Sequence, residues 1–508
     1  MLSKEKKLLR LYNLDFSNYL KELKHKDSEF FINEGIKRAL ITFKQTAERV
    51  PAYKDFLKRN RINPSQIKTI HDFKTLPTTN KKYLRSYKLN ELCWDGNLHD
   101  LDMISTSSGS TGEPFYWPRG LDQEEEVTKI YEIVYKTFKA DKKKTLLVIG
   151  YSMGNWIAGT FTLTATMRLA QKGYPITIIS PGIIVEEIVR AVKNLSENFD
   201  QVILAGYPPF VKDVIDRGKI SGVEWPKLDV KFIFGGEVIS EKFRDYILKA
   251  VGKTKEADKL TEAMNTYGTA DSAILGYETP ISIYLRRHAS KNIEIRNELF
   301  RETTQLPTVT QYDPRFKFFE EINVKLIFTS ASGIPLIMYD IGDTGSLISY
   351  DQFLSTLKRH DINVESELKK LGVKKYNYKL PFLYLFGRRD LTVTLYGLNV
   401  YPENIKAALE SEELSKFVTG KFMMATEETA KHNQYLSVNI ELAERVRNGG
   451  SLQRLVTKMV VEKLNELNSE YRKLHTSIGK KAIPKVELIK YNDPRYFKIK
   501  IKQQWIKH

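Results

Sequence analysis

The chain has 508 residues, 42% of them hydrophobic and 11% aromatic, which is enough to bury a large core and excludes intrinsic disorder. With 80 Lys+Arg against 62 Asp+Glu, the net charge is +18. The single cysteine, Cys93, excludes an intramolecular disulfide and any multi-cysteine zinc or iron–sulfur site.

Residues 1–90 read mostly as helices: IKRALITFKQTAERV carries apolar residues at helical spacing, and Pro51 marks its end. The N-terminal segment is charged throughout and lacks the apolar core of a signal peptide, so with one cysteine a cytoplasmic location is expected. Basic residues are scattered among acidic ones without a helix-turn-helix, zinc-finger or RNA-recognition pattern, so the expectation is a solvated, lysine-rich surface and no nucleic-acid partner. Strands are predicted over 101–104 and 115–117, with the loop STSSGSTGEP (105–114) between them. No charge falls in 145–167, a length that can span a bilayer, but Ser152, Asn155 and repeated threonines break up its apolar groups. That segment is read as a buried strand (TLLVIGY), a loop (SMGNW) and a buried helix, with no membrane span.

From about 100 to 390, apolar runs alternate with amphipathic helical stretches; the runs are TLLVIGY, ITIIS, QVILAGY, VKFIFGG and VKLIFTS. The pattern predicts an α/β fold with mixed, largely parallel sheets covered by helices. Over 281–330 more exposed strands are expected, ISIYLRR among them, with a polar segment that includes 307–315. Beyond Gly387-Arg388-Arg389-Asp390 the order becomes strand, helix (PENIKAALES), strand, helix (SLQRLVTKMVVEKLNELNSEYR) and short strand (PKVELIK), a small α+β unit with its own core. The expected division is a large N-terminal domain at 1–387, opened by the helical segment 1–90, and a small C-terminal domain at 388–508.

The 105–114 loop is the strongest local chemical signal. Its glycines let backbone N–H groups approach an anion and its hydroxyls add donors without bulk, which suits a polyphosphate. It is not an ordinary P-loop, because Glu113 stands where the lysine would be and a strand follows. Taken alone, a polar hairpin turn explains it somewhat better.

Other segments remove that ambiguity. STSSGSTGEP resembles the phosphate-binding loop of the adenylate-forming superfamily, which includes acyl-CoA synthetases, luciferase-type enzymes and peptide-synthetase adenylation domains. NTYGTAD at 265–271 is similar to the family's YGxTE-type segment, MYDIGD at 338–343 to its YxTGD segment, and GRRD at 387–390 with YGLNVYP at 396–402 to its hinge region. Within the superfamily the chain resembles the phenylacetate–CoA ligase-like branch, through VPAYKDFL at 50–57, FKTLPTT at 73–79 and FGGE at 234–237. The resemblance covers roughly residues 35–508, with its segments in the family's order.

The resemblance implies roles residue by residue. Ser107, Ser108, Gly109, Ser110, Thr111 and Gly112 would hold the ATP phosphates. Gly235, Gly236 and Glu237 would line the adenine pocket, together with Thr266, Tyr267, Gly268 and Thr269, and Tyr267 offers a ring on which adenine can stack. Asp343 would accept from the ribose hydroxyls, Arg388 would sit near ribose or phosphates, and Asp390 would be the hinge of a mobile C-terminal lid. Asp271 stands where the family has a glutamate ligand for Mg²⁺; it is also a hard oxygen ligand, but one methylene shorter. The C-terminal DPRYFKIKIK departs from the family's terminal lysine segment, leaving Lys498 as the best match for the catalytic lysine and Lys500 as the other candidate.

The implied reaction joins a carboxylic acid to ATP as an acyl-adenylate, releasing pyrophosphate, and passes the acyl group to a thiol with release of AMP. ATP, Mg²⁺ and CoA are the implied cofactors. A carrier-protein phosphopantetheine or another acceptor is the alternative to CoA, and the +18 charge suits an acidic carrier. A catalytically impaired nucleotide-binding homologue is a third possibility, in view of Asp271 and the altered terminal segment. Tyr151, Trp156 and Tyr207 are the candidate acyl-pocket residues, which suggests an aromatic or medium-chain acid.

Overall fold

The computed structural model describes residues 15–106, 114–301, 306–388, 393–409, 411, 413–414, 416–491 and 493–497. Three helices open it: Phe16–His25, Ser28–Arg49 and Pro51–Arg59. Asp27 caps the second by accepting from the Phe30 N–H, a contact worth about 1 kcal/mol. Pro51 stops that helix and, needing no N–H donor in a first turn, starts the next. The buried face of these helices, including Ala39, Phe43, Val50 and Tyr53, packs against Phe318, Ile327, Ile337 and Met338.

A short antiparallel hairpin follows, β1 (Met103–Thr106) and β2 (Tyr116–Arg119). Then come β3 (Thr145–Gly150), β4 (Ile176–Ile179), β5 (Gln201–Gly206), β6 (Val230–Gly235), β7 (Ala263–Thr269), β8 (Ala273–Tyr277) and β9 (Thr308–Gln311). The sheet is completed by β10 (Phe318–Ile322), β11 (Lys325–Ser330), β12 (Leu336–Ile348) and β13 (Phe382–Arg388). These last eleven strands form one sheet in the order β10-β11-β12-β13-β9-β8-β7-β6-β5-β3-β4. Pairing is parallel from β4 through β7 and antiparallel from β7 to β10. The parallel strands β3, β5 and β6 are buried along their whole length, as strands covered on both faces must be. The helix Ile157–Gln171 follows β3 as expected, and no described helix is long and apolar enough to cross a membrane.

The structure corrects two local readings. ISIYLRR lies in the helix Pro280–Lys291, not in an exposed strand. Thr279 caps that helix in a capping box with Ser282, Pro280 takes its first turn, and burial on nearly every side produced the misleading two-residue alternation. The polar segment at 307–315 contains β9, whose side chains are all buried. IGDTG, rich in turn formers, lies inside the long strand β12, where a Cβ at Gly345 would overlap the neighbouring β13 backbone at Tyr384.

After residue 393 the chain forms the small hairpin β14 (Val393–Leu395) and β15 (Leu398–Val400), then a sheet of β16 (Val418–Glu428), β17 (Gln434–Leu442) and β18 (Lys485–Ile489). Helices Pro402–Leu409, Gly450–Leu467 and Ser469–Ile478 accompany it. The single long helix expected over 451–472 is broken at Asn468, whose side chain caps the second half by accepting from the Tyr471 N–H.

Candidate active site

The parallel strands β3, β5 and β6 end side by side, with Gly150 opposite Gly206 and Gly206 opposite Phe234. The carboxyl ends of parallel strands are where open α/β sheets bind ligands. Close approach demands glycine here: a Cβ at Gly206 would stand 2.9 Å from Val211, and one at Gly235 2.9 Å from the Thr266 hydroxyl.

The residue after each strand end is one of the sequence candidates. The Tyr151 and Tyr207 rings meet edge-on, centroids 5.2 Å apart. Tyr151 is fully engaged in the core, its hydroxyl donating to the Ile233 carbonyl at 3.0 Å. Tyr207 is buried as well, which pushes its hydroxyl up to about 12, and its ring faces both Gly236 and Gly397. Trp156 is half-buried, with the Lys473 ammonium 5.3 Å from its ring centroid.

Beside β6, strand β7 carries the 265–271 segment. The Asn265 amide donates to the Glu237 carbonyl at 2.9 Å and the Thr266 hydroxyl to the Phe234 carbonyl at 3.0 Å, which locks the two candidate segments together. A buried charged layer fixes the start of β7. There Arg244 donates to Glu278 at 2.7 Å, and the other Glu278 oxygen accepts from the Asn265 N–H at 2.7 Å.

Two further contacts bridge β7 and β12. Tyr267 donates its hydroxyl to the buried carboxylate of Asp343, 76 residues away in sequence. Tyr339 donates to Asp271 at 2.9 Å, both side chains being buried. Asp343 lies opposite Arg388 in the β12–β13 register. Gly268 is exposed where the β7–β8 register slips, and Thr269 caps the turn by accepting from the Ser272 N–H.

No protein-family model matches the chain. In sequence it is similar to phenylacetate–coenzyme A ligase of Thermus thermophilus, at 22% identity over 368 residues, 71% of each chain. In structure it is similar to 2-hydroxyisobutyryl-CoA ligase bound to its acyl-AMP and CoA, with a TM-score of 0.63, 16% identity, and coverage of 96% of this chain and 91% of the other. A second structure of that ligase, in the postadenylation state, gives a TM-score of 0.52 at 14% identity, covering 96% and 90%. The fold is that of the adenylate-forming ligases.

Within this ligase fold, several expected residues occupy unexpected surroundings. The Glu237 carboxylate accepts from the Gly397 N–H and from the Gln434 amide at 2.8 Å, joining the end of β6 to the segment after 393. Burial pushes its carboxyl up to about 7 against the pull of those two donors. Nearby, Lys481 pairs with Asp213 at 2.6 Å and Lys212 donates to Asn433 at 2.8 Å, extending the same contact. Ser107 to Gly112, Asp390 and Lys498 lie outside the described residues, and for Arg388 only the backbone is described. The flanks of the hydroxyl loop are described: Ser105 is buried with a hydroxyl that has no partner among the described residues, and the Thr106 N–H donates to the Asn155 carbonyl at 3.1 Å.

A Mg²⁺ ion has one first candidate here. Among the described residues no group of three His, Cys, Asp or Glu side chains gathers to hold a metal. Asp271 fits the lesser demand of an ion carried in by nucleotide phosphates, which needs only one or two carboxylates, and Tyr339 fixes its orientation.

Sequence reading missed Arg119 and Gln123. Arg119 ends β2 and Gln123 opens the helix Leu121–Thr137, so the chain sets them one turn apart. Arg119 donates to the Gln123 side-chain oxygen at 2.9 Å and to the Ala270 carbonyl. Burial pulls its guanidinium down to about 9, opposed by the Asp271 carboxylate, and it remains cationic at neutral pH. No motif marked these residues, and a lone arginine after a strand reads as surface.

Proposed function

We propose that this protein activates a carboxylic acid with ATP, forming an acyl-adenylate and pyrophosphate, and transfers the acyl group to CoA with release of AMP. The observation that supports this best is the meeting of the 265–271 and 338–343 segments through Tyr267–Asp343 and Asp271–Tyr339 beside the ends of β3, β5 and β6. Distant motif residues have been brought to one place, where such folds bind ligands. The activities named for the Thermus relative and for 2-hydroxyisobutyryl-CoA ligase favour CoA as the acceptor.

In this reading Tyr267 stacks on adenine while its hydroxyl holds the Asp343 carboxylate ready for the ribose hydroxyls. The loop Ser107–Gly112 cradles the phosphates, and Lys498 brings the acid carboxylate to the α-phosphorus. Joining two anions is the difficulty, and preorganised N–H donors and a lysine lower it by neutralising the charge. Mg²⁺, held by Asp271 with the phosphates, would supply further neutralisation. No nucleophilic side chain is required, since the acid carboxylate attacks phosphorus and the thiol later attacks the acyl carbon. The 388–508 unit acts as a lid turning about Asp390, and its contact through Glu237 is one position of that lid.

The paired tyrosines and Trp156 favour an aromatic or medium-chain acid. ATP–pyrophosphate exchange against aryl, fatty, hydroxy and amino acids tests the first half-reaction. Adding CoA or an acidic carrier protein tests the second. Exchange that needs one acid class, followed by CoA-dependent AMP release, is expected. ATP binding without exchange for any acid would instead mark an impaired homologue.

A further inference from the structure

Nine lysine and arginine residues are buried among the described residues. Eight of them, Lys129, Lys212, Lys231, Arg244, Arg286, Arg287, Arg315 and Lys317, have a carboxylate oxygen within 4.0 Å. Arg119 is the exception. It is 1% exposed, and no carboxylate oxygen among the described residues lies within 4.0 Å of it. Its hydrogen bonds go to two neutral oxygens, the Gln123 side chain and the Ala270 carbonyl, and the Asp271 carboxylate acts on it only from beyond contact. A buried cation with no carboxylate in contact is expensive, and an anionic ligand at the guanidinium would offset that cost.

The groups around it are short of acceptors in the same way. Arg119 Nε, Gln123 Nε2 and Trp117 Nε1 are buried donors without a partner among the described residues. Gln123 Oε1 is already used by the guanidinium, so what remains of this side chain can only donate. The guanidinium carbon lies 6.0 Å from the Trp117 ring centroid and 5.9 Å from that of Phe161, on the helix that follows the SMGNW loop. Its bond to Ala270 ties it to the residue before Asp271. The cluster therefore stands between the candidate acyl segments and the 265–271 segment, and offers donors and positive charge to a group that can only accept.

We propose that Arg119, with Gln123 and Trp117, binds a carboxylate of the acid substrate. The proposal rests on the acid-activating reading above for the identity of the ligand as a substrate. That carboxylate is either the reacting one or a second one at the far end of a dicarboxylic acid, and both present the same acceptor oxygens.

The test is calorimetric binding of matched acids to the full-length protein, with and without a non-hydrolysable ATP analogue. Hexanoate against hexanedioate and benzoate against terephthalate are the probes. Arg119→Met should weaken binding of the recognised acid roughly 10- to 100-fold, as loss of a charged hydrogen bond does. Binding of the ATP analogue alone should not change. Arg119 dependence for the monoacids identifies the reacting carboxylate; dependence confined to the diacids identifies a second one. Gln123→Glu covers the case in which Arg119→Met does not fold. It supplies an internal anion to the guanidinium, so it should raise thermal stability and abolish acid binding, whereas a purely structural Arg119 would gain the stability and bind acids as before. Acid binding indifferent to both variants, or an effect on the ATP analogue instead, overturns the proposal. Arg119-dependent acid binding without pyrophosphate exchange would sink the acid-activating reading and leave this site standing, and exchange with Arg119-independent binding would do the reverse.

Discussion

Replacing Tyr267 by phenylalanine separates two jobs that one residue performs. The ring remains for adenine, while the hydroxyl that donates to Asp343 is lost. Asp343 is 3% exposed, so its carboxylate depends on protein donors for orientation more than a surface aspartate would. A hydrogen bond to a charged group contributes about 1.5–3 kcal/mol, which predicts roughly 10- to 100-fold weaker ATP binding for Tyr267→Phe. Tyr267→Ala removes the ring as well, and stacking adds about 1–3 kcal/mol, a second factor of similar size. Fluorescence titration with ATP measures both variants. A double-mutant cycle with Asp343→Asn should return a coupling of about 1.5–3 kcal/mol, since the pair is in direct contact. Phenylalanine and alanine variants with equal ATP affinity would refute the stacking role, and zero coupling would refute the orienting one.

Other outcomes follow from the same geometry. The folded-state pKa of Glu237 is raised from 4.5 to about 7, so its contribution to stability is fullest below pH 4.5 and is lost as pH rises towards 7. The shift corresponds to about 3 kcal/mol, trimmed to about 1–2 because part of the residue reaches solvent. Urea unfolding should therefore show wild type losing that much relative to Glu237→Gln between pH 4.5 and 7, and a pH-independent difference would contradict the burial argument. Gly397 has φ +76 and its added Cβ would overlap the Tyr207 ring, so Gly397→Ala should break the contact between β6 and the 393–434 segment. Faster amide exchange at 396–400 would register the break, and unchanged protection would count against it. Asp271→Ala should raise the magnesium concentration needed for exchange about tenfold or more, whereas Asp271→Glu should be tolerated. Lys498→Ala should slow adenylation by orders of magnitude while sparing thioester formation from supplied adenylate; the same effect at Lys500 would move the terminal alignment by two residues.

What the sequence revealed and what it hid have physical causes. Strands β3, β5 and β6 were legible because burial on both faces requires unbroken apolar runs such as Leu146–Ile149 and Phe232–Phe234. Helix Pro280–Lys291 was not, because its arginines are buried against Glu241 rather than marking a wet face. Strand β9 was hidden for a related reason: Gln311 is polar but fully engaged, donating to the Tyr378 and Leu380 carbonyls. The motif segments were legible in order, and the contact between Tyr267 and Asp343 is what the fold adds to them. Glu237 was legible as a motif residue, but its contact with Gly397 and Gln434 depends on how distant segments pack. The Arg119 cluster could not be found from spacing at all, since its significance is a buried guanidinium with no carboxylate in contact and unpartnered donors beside it, which only three dimensions reveal.

The central claim, attack of an acid carboxylate on the α-phosphorus of ATP, is tested most directly by following an oxygen. The acid identified by pyrophosphate exchange is supplied with both carboxyl oxygens as ¹⁸O, together with ATP and CoA, and the products are analysed by mass spectrometry. The account predicts one ¹⁸O in each AMP released, because the oxygen bridging carbon and phosphorus leaves with AMP when the thiol attacks. Label in inorganic phosphate, or AMP without label, would contradict it.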